Sequence, residues 1–357
     1  MFGDSDSEIE GDNPYYQFQY RKVLIIIGLA IVCFFVGVVT MMCGDYHIGF
    51  LKVIEAIFLP NDEIYSVVVH NIRLPRILAA LIIGCALAVA GTVMQCVLKN
   101  PLASPYTLGI SNAAAFGAAI AIASSYLGYA DGIMKGFLTS TFGMSIFAFL
   151  FSMVAVIVVL AFAHTAYSSP ENMVLAGTAL GSIFGAGLSS LQYFVDNDTL
   201  SSIVFWQFGD LSKASWDELI VLFVLTVAVA VYFYYHRLDF NAMVAGEEVA
   251  QSLGVKTKML TYATMILSSV LAAASISIVG IIGFVGLLGP HIMRRIIGND
   301  HRYLIPASMT MGATVLLLSD AVGRLAFGTV IPVGIITSFL GGPLFLFILV
   351  KRRRRSA

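Results

Sequence analysis

Reactive side chains are scarce in this sequence, and their spacing favours association over catalysis. Asp196-Asn197-Asp198 has an acidic spacing that some metal-using transferases employ, but two carboxylates in a polar loop read equally as a solvated turn. The six histidines are scattered, and His291, beside Pro290, reads as structural. The four cysteines, Cys33, Cys43, Cys85 and Cys96, lie in or beside apolar runs without a Cys-x-x-Cys pair. They read as small buried hydrophobes, not as a disulfide framework or metal cluster. No Gly-x-x-x-x-Gly-Lys-Ser/Thr loop is present to cradle nucleotide phosphates. Neither His-Glu-x-x-His nor Gly-x-Ser-x-Gly occurs, which argues against a membrane protease or hydrolase. No catalytic, cofactor-binding or metal-ligating residue is assigned, and the chain is expected not to be an enzyme.

Two other patterns carry the chemistry of contact. Arg73 and Arg76 are three apart, so they project from neighbouring positions on a helix, and Arg324 follows Asp320 by four. Arginines so placed snorkel to lipid headgroups or pair with a nearby carboxylate such as Asp320. The second pattern is in the polar stretch from Asp239 to Val255. There Ala245, Val249 and Leu253 fall at i, i+4 and i+8, which predicts a short amphipathic helix closed by Gly254. Such a helix either lies on a membrane surface or docks on a partner.

The elements that must position these residues are membrane spans. Charged residues make up 11% of the 357 residues and apolar ones 59%, which excludes a soluble domain with a polar surface. An all-α polytopic membrane protein is predicted. Apolar runs of about 20 residues cross a bilayer. Ten spans are read: Val23 to Cys43, Ile77 to Leu98, Tyr106 to Leu127, Leu138 to Ala163, Asn172 to about Val195, Leu219 to Tyr235, Met259 to Val279, a re-crossing over Gly280 to Arg295, Tyr303 to Ser319, and Thr329 to Val350. The eighth is short and glycine-rich, so it is expected to be partly irregular and buried among other helices. In the second, Ala80, Gly84 and Ala88 share one face and let another helix approach closely. A polar segment with a short surface helix is expected between Gly44 and Val69. Trp206 and Trp216, in the loop after span five, suit the lipid–water boundary.

Orientation follows Lys and Arg. With ten spans and both termini cytoplasmic, inside loops hold Arg21, Lys22, Lys99, Arg237, Lys256, Lys258, Arg294, Arg295, Arg302 and Lys351 to Arg355; only Lys52, Arg73, Arg76, Lys135, Lys213 and Arg324 fall outside. Residues 1–20 read as an acidic, flexible cytoplasmic tail without the basic start of a secretory signal, and residues 21–357 as one ten-span transmembrane domain. No Asp, Glu, Lys or Arg falls at mid-depth in any span. That disfavours an ion-coupled secondary transporter, although sodium sites built from carbonyls and hydroxyls keep this alternative open.

Taken together, the motifs resemble the permease subunits of ATP-binding-cassette importers for iron–siderophore complexes, haem and vitamin B12. The similar segments are Leu74-Pro75-Arg76, Asn100-Pro101-Leu102-Ala103, Leu108-Gly109-Ile110-Ser111-Asn112, Leu175-Ala176-Gly177, Gly246-Glu247-Glu248 with Leu253-Gly254-Val255, Gly283 to Leu287 with Pro290-His291, Asp300-His301-Arg302 and Pro332-Val333-Gly334. They run in order from Arg73 almost to the C-terminus. The resemblance implies a homodimer with the path at its interface. It also implies two cytoplasmic ATPase subunits, an extracytoplasmic solute-binding protein, a metal-chelate substrate and the lipid bilayer as partners, and no nucleic acid. By the same resemblance Arg73, Arg76 and Arg324 receive acidic residues of the binding protein. Asn100 and Leu102 form a cytoplasmic gate, and Ala245, Gly246, Glu247, Val249, Leu253 and Gly254 couple to the ATPase. Asn172, Thr178, Ser182 and Gln192 on span five line the path.

Overall fold

A computed structural model describes residues 14–44, 47–59, 63–126, 136–138, 140–165, 170–326 and 330–353. The first 13 residues of the acidic tail, most of the Asp131 to Gly136 loop and the centre of the His164 to Glu171 turn lie outside the described residues. The described chain is helical: α1 (Pro14–Met42), α2 (Phe50–Phe58), α3 (Ile64–Val68), α4 (Leu74–Val97), α5 (Ile110–Tyr126), α6 (Thr141–Thr165), α7 (Pro170–Phe194), α8 (Asn197–Gln207), α9 (Trp216–Tyr235), α10 (Arg237–Ala245), α11 (Glu247–Ser252), α12 (Thr257–Val279), α13 (Val285–Ile297), α14 (His301–Leu325) and α15 (Val333–Arg353). A helix stands at each expected span. Among the described residues, seven helical stretches are long and apolar enough to cross a membrane, one of them the continuous run Ile64–Val97 through a π turn at Val69–Arg73.

α4 is the axis of the bundle. It is buried on every side from Ala86 through Val97, and in its first half on all but the face of Leu78, Leu81, Ile82 and Cys85, which fits a run that is apolar all round. Its small residues set its neighbours. Ala80 and Ala88 are fully buried, and a Cβ added at Gly84 would meet Ala313 Cα at 2.6 Å on α14. Gly91 lies against the Gly286 carbonyl of α13, and Gly289 of α13 in turn lies against Ala88 and Ser308. The four-residue repeat therefore does what its spacing predicts, with α14 and α13 as the helices admitted.

The eighth segment is a helix of 13 residues after a non-helical lead, Gly280 to Phe284, with φ +83° at Gly280 and +66° at Phe284. At 1.5 Å per residue the helix covers about 20 Å, short of a ~30 Å hydrocarbon core. This irregular lead is protected by protein. Tyr106 donates its hydroxyl to the Ile282 carbonyl, and the Asp210 amide donates to Val279 O at 2.7 Å. Gly209 and Gly334 crowd against the Ile281 carbonyl, where no side chain fits.

Two expectations are corrected. The pattern over Ala245, Val249 and Leu253 is not one helix, because Gly246 at φ +131° ends α10 and starts α11. Only glycine adopts that conformation readily. Trp206 is not at a lipid boundary: it is 4% exposed, in the core beneath α5. Trp216 is exposed, and its indole donates to His70 O at 3.2 Å.

The close packing of α4 gives a direct test. Gly91→Leu overpacks the α13 contact and is expected to cost ~1–3 kcal/mol or more. Gly28→Leu adds a side chain where nothing lies within 4 Å and should be neutral. Thermal unfolding in detergent compares them, and equal midpoints would refute the packing described.

Candidate functional site

At one end of the bundle two of the three arginines, Arg76 and Arg324, meet at a single carboxylate. Asp320 is 1% exposed. It accepts from Arg76 Nε at 2.7 Å and pairs with Arg324 Nε at 3.0 Å. Arg76 also reaches Asp210 at 3.8 Å. Arg73 donates to the Met41 carbonyl at 2.6 Å, and its guanidinium fills the space beside Gly44. Arg73 and Arg76 are buried within the chain and Arg324 is partly exposed. Thus α4, α14 and the loop before α9 are clasped by ion pairs, and Arg324 is the least buried of the three arginines, with its side chain still only 10% exposed.

At the opposite end, α4 stops at a turn. Lys99 takes φ +48°, and Asn100 Oδ1 accepts from the Leu102 amide at 2.9 Å. This Asx turn holds Leu102 outward, 38% exposed. Lys99 pairs with Glu247 at 3.4 Å, both half exposed, so the turn is tied to the first residue of α11. Around Gly246 one face is anchored and the other open. Phe240, Met243 and Ala250 are buried, whereas Val244, Ala245, Val249 and Leu253 are exposed. The anchors are polar. Asn241 donates to Asp300 Oδ1 at 2.8 Å and accepts from the His301 amide at 2.8 Å. Thr257 donates to Glu247 at 3.3 Å. Burial would raise the Asp300 carboxyl, but bonds from Arg302 and Asn241 outweigh it and hold the pKa at about 2. Gly254, at φ +84°, turns the chain back toward α12.

The third surface is α7. Its buried face, Met173, Gly177, Gly181 and Leu188, packs on α5 and the turn before it. Gly177 lies 2.6 Å from Leu108 Cα by its would-be Cβ, and Asn112 donates to Gly181 O at 2.9 Å. The other face leaves Asn172, Thr178 and Ser182 exposed, together with Ser189 and Ser190; Gln192 is partly exposed. Thr178 and Ser182 return their hydroxyls to carbonyls one turn back. The exposed residues of α6 and α9 are of another kind: Phe142, Leu150 and Ile157, and Val221, Val224 and Val231. The exposed face of α7 mixes its hydroxyls with Leu175, Ile183, Tyr193 and Phe194.

Sequence reading missed Asp210, Glu247's link to Lys99, and the Asn241–Asp300 tether. Each joins residues far apart in the chain, where no local spacing signals a contact. Asp196, suspected of metal chemistry, caps α8 by accepting from the Thr199 amide at 3.2 Å.

The removal of one carboxylate tests the clasp. Asp320→Asn leaves Arg76 and Arg324 facing one another without their shared anion, and should destabilise the fold by ~3–5 kcal/mol. The readout is the thermal unfolding midpoint of the purified chain, with Asp320→Glu expected to fall between. A midpoint unchanged in Asp320→Asn would exclude a structural role for the pairs.

Comparison with known proteins follows the same lines. The profile of the FecCD transport family matches residues 28–351. A Methanocaldococcus jannaschii protein named as an ABC transporter permease is 43% identical over 342 residues, 96% of this chain and 98% of its own. The hemin transport system permease of Yersinia pestis is 34% identical over 296 residues, 83% of this chain and 86% of its own. Among solved structures, an inward-facing transporter assigned to the metal-chelate ABC type superposes with a TM-score of 0.77 at 30% identity, over 92% of this chain and 99% of that one.

Proposed function

The chain belongs to the FecCD transport family, and from that premise we propose how it is assembled and what it carries. It is a permease of the ATP-binding-cassette type, a multi-pass protein of the cell membrane. In our reading it crosses ten times with both termini cytoplasmic and pairs with a second copy. Two separate cytoplasmic ATPase subunits drive it, and an extracytoplasmic binding protein loads it. The basic residues support this orientation: Lys99 in the turn after α4, Arg237 at the start of α10, and Arg294 and Arg295 at the end of α13 share one side in this reading. The cargo is a metal chelate, an iron–siderophore first, or haem or vitamin B12. The hydroxyl-bearing face of α7 suits a path wide enough for a chelate, with Asn172, Thr178, Ser182 and Gln192 along it.

One observation carries the importer mechanism. Apolar side chains at Val244, Val249 and Leu253 are exposed on a polar loop, and the same loop is tied through Glu247 to the Lys99-Asn100-Pro101-Leu102 turn. An ATPase groove that covers those side chains would pull on the turn and on the Asn100 and Leu102 gate. Reconstitution with the ATPase and binding protein, and uptake of labelled ferric chelates, haem and cobalamin, tests the reading and ranks the cargo. Val249→Asp would bury an unpaired charge in the groove and should abolish ATPase association, while the permease still inserts. Full ATP-driven uptake by that variant would overturn the coupling role.

For docking, the outer arginines are proposed to act through Arg324, with Arg73 and Arg76 behind it. Rim charge pairs speed association and weaken in salt. Arg324→Gln should therefore lower binding-protein affinity at low salt and lose that difference at high salt. Equal affinity for parent and variant at low salt would remove Arg324 from the interface.

A further inference from the structure

A cleft of about 800 Å³ opens between α6, α9 and the end of α12. Its walls are Phe149 and Leu150 on one side, Val221 and Leu225 on another, and Ala274 at the back. Its mouth is polar, formed by Ser140, Lys213 and Asp217 among others. From Thr141 to Leu150 on α6, and from Asp217 to Leu225 on α9, the cleft runs about 12–14 Å at 1.5 Å per residue. That is close to half of a ~30 Å hydrocarbon core, the depth of one leaflet.

The mouth carries the second half of the argument. Glu218 is already engaged, accepting from Ser215 and from Ser145 at 3.2 Å. Lys213 makes no ion pair within 4.0 Å among the described residues, and it lines both this cleft and a neighbouring one of about 440 Å³ beside Trp206. Burial pushes its ammonium pKa down, with Asp210 pulling the other way. A half-buried cation over an apolar slot has the form of a site for a phosphate ester with a hydrocarbon tail. Asp217, exposed at the same mouth, adds an acceptor for a cationic group. The exposed flanks of α6 and α9 are continuously apolar, so the bilayer itself delivers such a molecule.

We propose that this cleft is a binding site for one outer-leaflet phospholipid of the ethanolamine type, with an acyl chain between α6 and α9, its phosphate at Lys213 and its ammonium at Asp217. The leaflet rests on the orientation proposed above, whereas the lipid chemistry does not. The site lies away from the α7 face, so lipid there braces α6 and α9 and leaves the path free.

Native mass spectrometry of the delipidated full-length chain, titrated with phosphatidylethanolamine, phosphatidylglycerol and phosphatidylcholine of matched acyl chains, tests this. One phosphatidylethanolamine should be retained per chain in preference to the other two. Lys213→Glu should weaken that retention at least about tenfold, the scale of one lost charge-assisted contact. Leu225→Trp, filling the slot, should abolish retention, and Ala274→Leu, narrowing it from α12, should weaken it independently; unfolding midpoints confirm that the variants are folded. Retention of none of the three lipids would overturn the site. Equal binding of phosphatidylglycerol or phosphatidylcholine would overturn the headgroup assignment. Unaltered retention in all three variants would place the lipid elsewhere, and displacement by haem or a ferric chelate would make the cleft a cargo site. Because no ATPase, binding protein or uptake is involved, failure here is separable from failure of the importer reading.

Discussion

The fold depends on how closely other backbones can approach α4. In a bilayer, burying apolar side chains gains little, because lipid tails are equally apolar, so helices associate through shape and dispersion at short range. Ala80, Gly84, Ala88 and Gly91 remove side-chain bulk along two faces of α4, and Gly286, Gly289 and Gly312 do so on the partners. The glycines are needed for space, not for unusual dihedral angles. α13 and α14 then lie against α4, and the ion pairs and loops at either end are placed by that packing.

Charge is sorted to the two ends of the bundle. At one end Arg73, Arg76, Arg324, Asp210 and Asp320 are largely withdrawn from solvent and lock helices together. At the other, Lys99–Glu247 is half exposed and Asn241–Asp300 is local to the loops. Exposed pairs contribute little and exchange readily, whereas breaking a buried pair is expensive. The first end is therefore built to hold its shape and the second to be remade.

Most of the bundle was legible in the sequence because bilayer thickness forces apolar runs of set length, and these runs were plain. The small-residue face of α4 was legible for a similar reason, since its spacing is local. The arginines were legible as a group but not in their direction. Asp320 lies 244 residues from Arg76, and Met41 lies 32 from Arg73, so no periodicity reports that they meet. The break at Gly246 was missed because an apolar i, i+4 pattern continues across it, and pattern alone does not register a backbone at φ +131°. Trp206 was misplaced because aromatic residues favour interfaces on average, while here packing beneath α5 outweighs that preference.

The short α13 bears on how the protein is made. Thirteen helical residues carrying Pro290, His291, Arg294 and Arg295 partition poorly into lipid as a separate unit. The irregular lead at Gly280 to Phe284 has carbonyls that hydrocarbon cannot solvate. Both problems are solved only when Tyr106, Gly91 and α14 are already alongside. α13 is therefore a conditional span, whose place in the bilayer depends on α4 and α14 and not on its own hydrophobicity.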